Sequence, residues 1–483
     1  MTGTKILFLT AIMIFLCGCG KVDYTNPNGS SGPVTIFPDY KDVTIPCNIA
    51  PLNYHYATKG ATKAVTTFSC DGKSVRFKGL TIEWNLKKWK KFVSDAVGKT
   101  IQVTASVMID GREVSDTWTI EVSPDKVDSY LTYRLIEPAY QMWDDIEIRE
   151  RCVEDFSENA ICDHQHTENS CMNCHVHGQQ RGDLSIFYIR GAHGGAILNR
   201  NGELRKLNLR NEDMVSSTVY GELHPSGRFG VFSTNVIMPG IHAASPRRME
   251  VYDSVSDLTV ADFDNNRMLN PPHTARKDVF EPFPCFSADG NHVYYCAADT
   301  VKVPEDVEKL KYSLMRVSFD STTGMLGEQI DTIWSAVEHD ASVCHPKASP
   351  DGKWLMFTVS AFGTFPLNHR DCTLNMINLE TGEINHLDGV KGDMSDTYHS
   401  WSSDSRWFVF ASKRGDGQYG KPYFCHIDES GKASKPFVLP QRSASFYETF
   451  TRSFNIPDLG KESTGLTTRD AKAMYKAESE AFE

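Results

Sequence analysis

Four stretches of this chain repeat one pattern, and that pattern limits the fold more than any other feature. They are His224-Pro225-Ser226-Gly227-Arg228-Phe229-Gly230-Val231-Phe232, Phe286-Ser287-Ala288-Asp289-Gly290-Asn291-His292-Val293-Tyr294-Tyr295, Ser349-Pro350-Asp351-Gly352-Lys353-Trp354-Leu355-Met356-Phe357 and Ser402-Ser403-Asp404-Ser405-Arg406-Trp407-Phe408-Val409-Phe410. Each is a polar turn, then a basic or polar residue, then an apolar run. The turn positions Gly227, Gly290, Gly352 and Ser405 lie 63, 62 and 53 residues apart. Gly or Ser suits a tight turn, and a continuously apolar run is a strand buried on both faces. A second strand and a further turn follow, as at 249–253 and 375–383. Units of this size with four short strands predict a β-propeller. A fifth unit, 185–208, has the strands but not the turn motif; the segment Cys171-Met172-Asn173-Cys174-His175 stands where that turn is expected. Strands within 130–156, closed by a C-terminal strand near Phe437-Val438-Leu439, bring the expected count to six blades, with five or seven as alternatives.

Ahead of the repeats, residues 34–124 predict a separate β-sandwich-like domain, so the fold class is all-β. Segments 101–107 and 118–122 alternate apolar and polar, and Asp110-Gly111 is a hairpin turn between them. One helix interrupts, with Leu86, Trp89, Phe92, Val93 and Val97 on one face and Gly98 after it. At 483 residues the chain is long enough for two such cores. Its net charge of −12 and scattered Lys and Arg argue against nucleic acid as a partner.

The N-terminus predicts export. Lys5 precedes an apolar run at 6–16 that is too short to span a bilayer. Leu16-Cys17-Gly18-Cys19 follows, and Leu and Gly before Cys19 resemble a bacterial lipobox. The expectation is a signal peptide over 1–18, lipid on Cys19, a Gly/Ser/Asn/Pro-rich tether over 19–33, and an outer-membrane location. The propeller is then assigned 125–457 and a C-terminal tail 458–483.

Compartment gives the motif at 171–175 its meaning. C-x-x-C-H is the attachment sequence for haem c: Cys171 and Cys174 would add to the vinyl groups and His175 would bind the iron. Candidates for a sixth ligand are His164, His166, His193 and Met214. Zinc is the alternative cofactor, held by the two thiolates and by histidines of the nearby H-x-H. A dithiol pair and a purely structural seam are the remaining readings. Nine other cysteines remain in the mature chain: Cys47, Cys70, Cys152, Cys162, Cys285, Cys296, Cys344, Cys372 and Cys425. Several sit in strand-like runs and read as small buried apolar groups, with few disulfides expected. Cys344-His345 and Cys425-His426 lack a second upstream Cys and read as packing, and His399 as a hydrogen-bonding blade residue. The connecting segments 235–248 and 362–371 are long enough to carry a binding face.

The S-P-D-G-[KR]-apolar unit resembles the repeat of TolB-type propellers, cousins of WD-repeat proteins. The order Tyr133-Arg134-Leu135-Ile136-Glu137-Pro138, C-x-x-C-H, repeats, then Ser453-Phe454-Asn455-Ile456-Pro457 resembles envelope lipoproteins of anaerobic Gram-negative bacteria with an N-terminal β-domain and one C-x-x-C-H. The resemblance implies a lipid-anchored propeller and no established activity; the C-x-x-C-H motif in an exported chain is what predicts one covalent haem for electron transfer or redox sensing. The alternative, favoured by repeats with no complete catalytic set, is a non-enzymatic scaffold that binds a protein or glycan partner at the propeller face, as TolB-type propellers do, with the C-x-x-C-H structural or zinc-binding. No G-x-S-x-G elbow or spaced carboxylate pair points to an enzyme.

Overall fold

In the computed structural model, residues 30–31, 34–137, 145–241, 249–363 and 365–483 are described. The signal, Cys19 and most of the tether lie outside them; Ser30–Ser31 pairs in parallel with Val114 and Ser115.

The N-terminal domain is two packed sheets, one built on Ala61–Cys70, Thr100–Ile109 and Arg112–Ser123, the other on three short strands. Asp110 and Gly111 turn the central hairpin with φ of 49° and 79°, the double left-handed turn that matches strand twist. The helix is Leu86–Asp95; Asn85 caps it by accepting from the Lys87 and Lys88 amides. Trp89, Phe92 and Val93 are buried, and Trp89 Nε1 donates to Ile49 O at 2.8 Å. Val97 lies past the helix and is exposed, so it drops out of that face.

Six four-stranded blades follow. From the axis outward, blade one is Ser453–Gly460, Tyr130–Ile136, Glu147–Cys152 and Glu158–Asp163. Blade two is Met172–His177, Leu184–Ile189, Gly195–Arg200 and Glu203–Asn208. The inner strands of blades three to six are Thr218–Leu223, Cys285–Phe286, Ser342–Ala348 and Asp396–Trp401. Second strands are mostly buried, and Leu184–Ile189 and Trp407–Ser412 along their whole length, because a blade touches neighbours on both faces. The S-P-D-G turn has a plain cause. Ser349 Oγ donates to Asp351 Oδ1 at 2.5 Å and accepts from Trp354 N at 2.9 Å, while Gly352 supplies φ of 72°. In blade four, Gly290 also lets His224 approach: its Nε2 lies 3.1 Å from Gly290 O, where a Cβ would collide.

The closure differs from expectation. Phe437–Val438 is the outermost strand of blade six; the ring is closed by Ser453–Gly460, which becomes the innermost strand of blade one. Residues 458–483 are no loose tail: Thr468–Lys476 is a helix, and Glu480–Ala481 adds a fifth strand in parallel to blade two. Of segment 235–248, residues 235–241 are strand, within the long hairpin of Phe229–Ile241 and Met249–Asp262, while 242–248 lies outside the described residues. One apolar cluster runs from the N-terminal domain into blades one and six, including Trp118, Trp407 and Phe454.

Candidate axial site

The inner strands share one irregularity. Pairing with the second strand skips between Val219 and Glu222, Cys344 and Lys347, Thr397 and Ser400, and Asn173 and Val176, and in blade one between Asn455 and Asp458. Such bulges re-aim a side chain. Just after the first residue of four of these skips the backbone turns left-handed: Tyr220 (48°), His345 (52°), Tyr398 (48°) and Ile456 (51°), with Phe283 (59°) at the equivalent place in blade four. Aromatic and β-branched residues rarely adopt this region, and such strain clusters at functional sites.

The four rings form a continuous wall. Centroids are 4.8 Å apart for Tyr220–Phe283, 4.3 Å for Phe283–His345 and 4.6 Å for His345–Tyr398. Tyr220, His345, Tyr398 and Ile456 are only half-buried, so solvent reaches this layer. Phe365 leans on Tyr220 and Phe283 at 5.7 and 6.0 Å. His345 Nδ1 meets Cys344 Sγ at 3.2 Å, and its Nε2 has no hydrogen-bond partner among the described residues. Burial holds this imidazole well below 6.5, hence neutral.

Two residues further along lies a polar layer of Glu222, Cys285, Lys347, Ser400 and Asp458. Lys347 and Glu222 form an ion pair. Burial raises the Glu222 carboxyl; it would lower the Lys347 ammonium, but Glu222 and Asp458 outweigh it and hold Lys347 up. Asp458 joins three blades: it accepts from His177 N at 2.8 Å, His177 Nδ1 at 3.0 Å and Ser400 Oγ at 2.7 Å. Burial opposes the charge on both partners, but the pair wins, so Asp458 is held below and His177 above its ordinary value. The cavity at this level is about 40 Å³, room for water and not for an organic ligand.

The C-x-x-C-H segment lies in the inner strand of blade two, not in a turn. The turn of that blade is 178–183, just beyond it. By register Cys174 stands where Tyr220, Phe283, His345, Tyr398 and Ile456 stand in the other blades. His175 stands where Gly221, Pro284, Pro346, His399 and Pro457 stand. Cys171 is half-buried at the strand's start, its carbonyl accepting from Arg190 N at 2.7 Å. His175 is 5% exposed, and burial pushes its imidazole down to about 4. Neither ring nitrogen makes a full hydrogen bond among the described residues, although the Ile456 backbone lies near enough to favour the protonated ring.

The other expected ligands are spread out. His164 and His166 sit in a short helical turn after blade one, facing Asp145 at 3.4 Å and Asp163 at 2.6 Å. His193 is exposed, edge-on to Tyr475 at 5.5 Å, and Met214 is buried between blades two and three. The donor set for haem does fit: two cysteines at the required spacing and a neutral imidazole without a full hydrogen bond among the described residues. Reading the sequence alone misses His345, Glu222, Lys347 and Asp458. The one available signal was a Pro, Gly or His after each αL position, visible only once the strands are aligned. The nine remaining cysteines are all unpaired thiols, most of them buried.

No family model matches the chain, and no curated protein is similar to it. Among solved structures it is similar to a putative TolB from Agrobacterium tumefaciens, with 10% identity and a TM-score of 0.38 over 66% of this chain and 94% of that one. A periplasmic gluconolactonase from Pseudomonas aeruginosa gives 14% identity and 0.35 over 67% and 98%. A hypothetical selenium-binding protein from Sulfolobus tokodaii gives 9% and 0.42 over 79% and 92%. The β-propeller fold itself stands on the six blade sheets of this chain.

Proposed function

We propose that this chain is a lipid-anchored outer-membrane propeller that carries one covalent haem c, for electron transfer or redox sensing. The observation that carries the reading is the place of the motif. Its strand puts Cys174 at an axial register position and leaves His175 neutral, buried and without a full hydrogen bond among the described residues, a costly state unless a ligand completes it. Cys171 and Cys174 would hold the group by thioethers and His175 would bind the iron. Bound haem would supply one-electron chemistry, tuned by burial and axial ligation. The residues around it do the rest. Asp458 and His177 fix the strand to its neighbours.

A pyridine-haemochrome spectrum of the full chain, made in a host with haem c maturation, tests this. An α-band lost in Cys174→Ala is expected; no band, with both thiols titratable, overturns it. A second reading is a haem-free scaffold that docks a protein or glycan, and His399 favours it: that residue holds His175's place in blade six and serves structure, its Nε2 3.0 Å from Met356 O of blade five. The same negative spectrum would select it. For the anchor, Cys19→Ala should leave the membrane fraction, since several acyl chains at about 0.8 kcal/mol per buried CH₂ make the native attachment effectively permanent. Unchanged fractionation would sink the anchor.

A further inference from the structure

Beyond the closing strand the chain runs around the rim of blades one, two and three. The helix Thr468–Lys476 packs on Glu158–Asp163 of blade one and on the outer strands of blade two. It buries Ala471 and Tyr475 in the apolar cluster that holds Cys162, Met172 and Phe187, and Cys171 packs against that same cluster. Tyr475 Oη lies 3.1 Å from Ser170 Oγ, next to Cys171 in the chain. Glu480–Ala481 then pairs with blade two, Phe482 is buried in the cluster shared by blades two and three, and the Glu483 carbonyl accepts from Met268 N at 2.7 Å. This strap therefore lies over the outer side of the blade that carries C-x-x-C-H. Its own hold is slight. A helix of nine residues does not persist alone in water, and its strand has two residues. The pin is Lys206, whose Nζ donates to Tyr475 O and Ala477 O, both at 2.9 Å, and so satisfies the last carbonyls of the helix. Arg205 adds an ion pair with Glu480. Segments held by so few buried side chains open locally while the rest of the fold stays intact.

We propose that residues 466–483 are a detachable strap over the cleft between blades one and two. Docked, it completes the cluster on which Cys171 packs; undocked, it opens the side from which a covalent partner reaches that thiol. With haem as the partner this rests on the haem reading above, whereas the opening of the strap is testable without it. A strap that only braced the rim would leave the thiols of that cluster as closed as those of the distant blades.

Thiol labelling tests the strap. The haem-free full chain is treated with iodoacetamide, and each cysteine is followed by peptide mass spectrometry. In Lys206→Met, which removes the pin, labelling of Cys162 and Cys171 is expected to quicken about tenfold, the worth of one hydrogen bond to a charged group. Cys296, fully buried in blade four, should keep its wild-type rate. Unchanged rates at Cys162 and Cys171, or an equal rise at Cys296, overturn the strap. If Lys206→Met fails to fold by circular dichroism, Glu480→Gln replaces it under the same criterion, since it breaks the ion pair with Arg205 at a partly exposed site. Haemochrome yields of wild type and of the folded variant, made in a host with haem c maturation, test the gate. An equal or greater yield in the variant is expected; a lower yield overturns the strap as the gate for haem. A wild type without haemochrome fails the haem reading, and the labelling result then decides the strap by itself.

Discussion

Blades two and six put a histidine at the same place in the same strand and give it different company. In blade six Tyr398-His399 follows the bulge, and His399 Nε2 lies 3.0 Å from Met356 O in blade five. In blade two Cys174-His175 follows it, and neither nitrogen of His175 makes a full hydrogen bond among the described residues. Burial pushes both imidazoles down, to about 3 and about 4, so both are neutral. The turns differ as well. Blade six uses Ser402-Ser403-Asp404-Ser405, with Ser402 N donating to Trp407 O at 2.8 Å. Blade two replaces this with 178–183, where Gln179 and Gln180 both take left-handed angles. The motif is no insertion: it occupies an ordinary strand position whose imidazole lacks the carbonyl bond that His399 makes.

The largest effect should come from the residue both blades share. Asp458 binds His177 of blade two and Ser400 of blade six. Asp458→Ala leaves a buried imidazolium unpaired and loosens the closing strand, so a loss of about 3–5 kcal/mol is expected in chemical denaturation. A loss below about 1 kcal/mol would show that closure rests on strand pairing alone. Next comes the comparison itself. His399→Leu should cost about 1–3 kcal/mol, because the Met356 carbonyl loses its partner in the core. His175→Leu in haem-free protein removes two nitrogens without a full hydrogen bond among the described residues and should cost clearly less. Equal costs would mean that His175 has a structural partner and would erase the contrast between the blades.

The pH dependence sharpens it further. His177 is held above its ordinary 6.5, so its folded form binds the proton more tightly than the unfolded chain. Its contribution is therefore full below about pH 6.5 and fades as pH rises through the folded value. The slope in that window should not exceed about 1.4 kcal/mol per pH unit. His177→Gln should remove that step from the stability-against-pH curve, whereas His175→Gln should leave it in place. The smallest effect concerns the turn. Ser405 takes φ of 59° where the other repeats use Gly, but its Oγ accepts from Asp351 N at 3.0 Å in blade five. Ser405→Gly relieves about 1 kcal/mol of backbone cost and loses a bond of similar worth. The melting temperature should barely move; a clear gain would show that the bond to Asp351 contributes little.

What the sequence determined by itself is local. The S-P-D-G turns follow from Ser, Asp and Gly satisfying one turn's amides, and the apolar runs after them from burial on both faces. Asp110-Gly111 and the Asn85 cap are likewise set by near neighbours. The blade count could be estimated from spacing, because each repeat is one unit. Tertiary structure decided the rest. The closing strand pairs Ser453–Gly460 with Tyr130–Ile136, more than 300 residues apart in the chain. Nothing in residues 437–460 alone says which of two short apolar segments makes that pairing. The axial layers were hidden for the same reason. Tyr220, Phe283, His345, Tyr398 and Cys174 share no sequence motif; they share only a left-handed turn or a register position at a bulge, and six strands must converge before that position becomes a site.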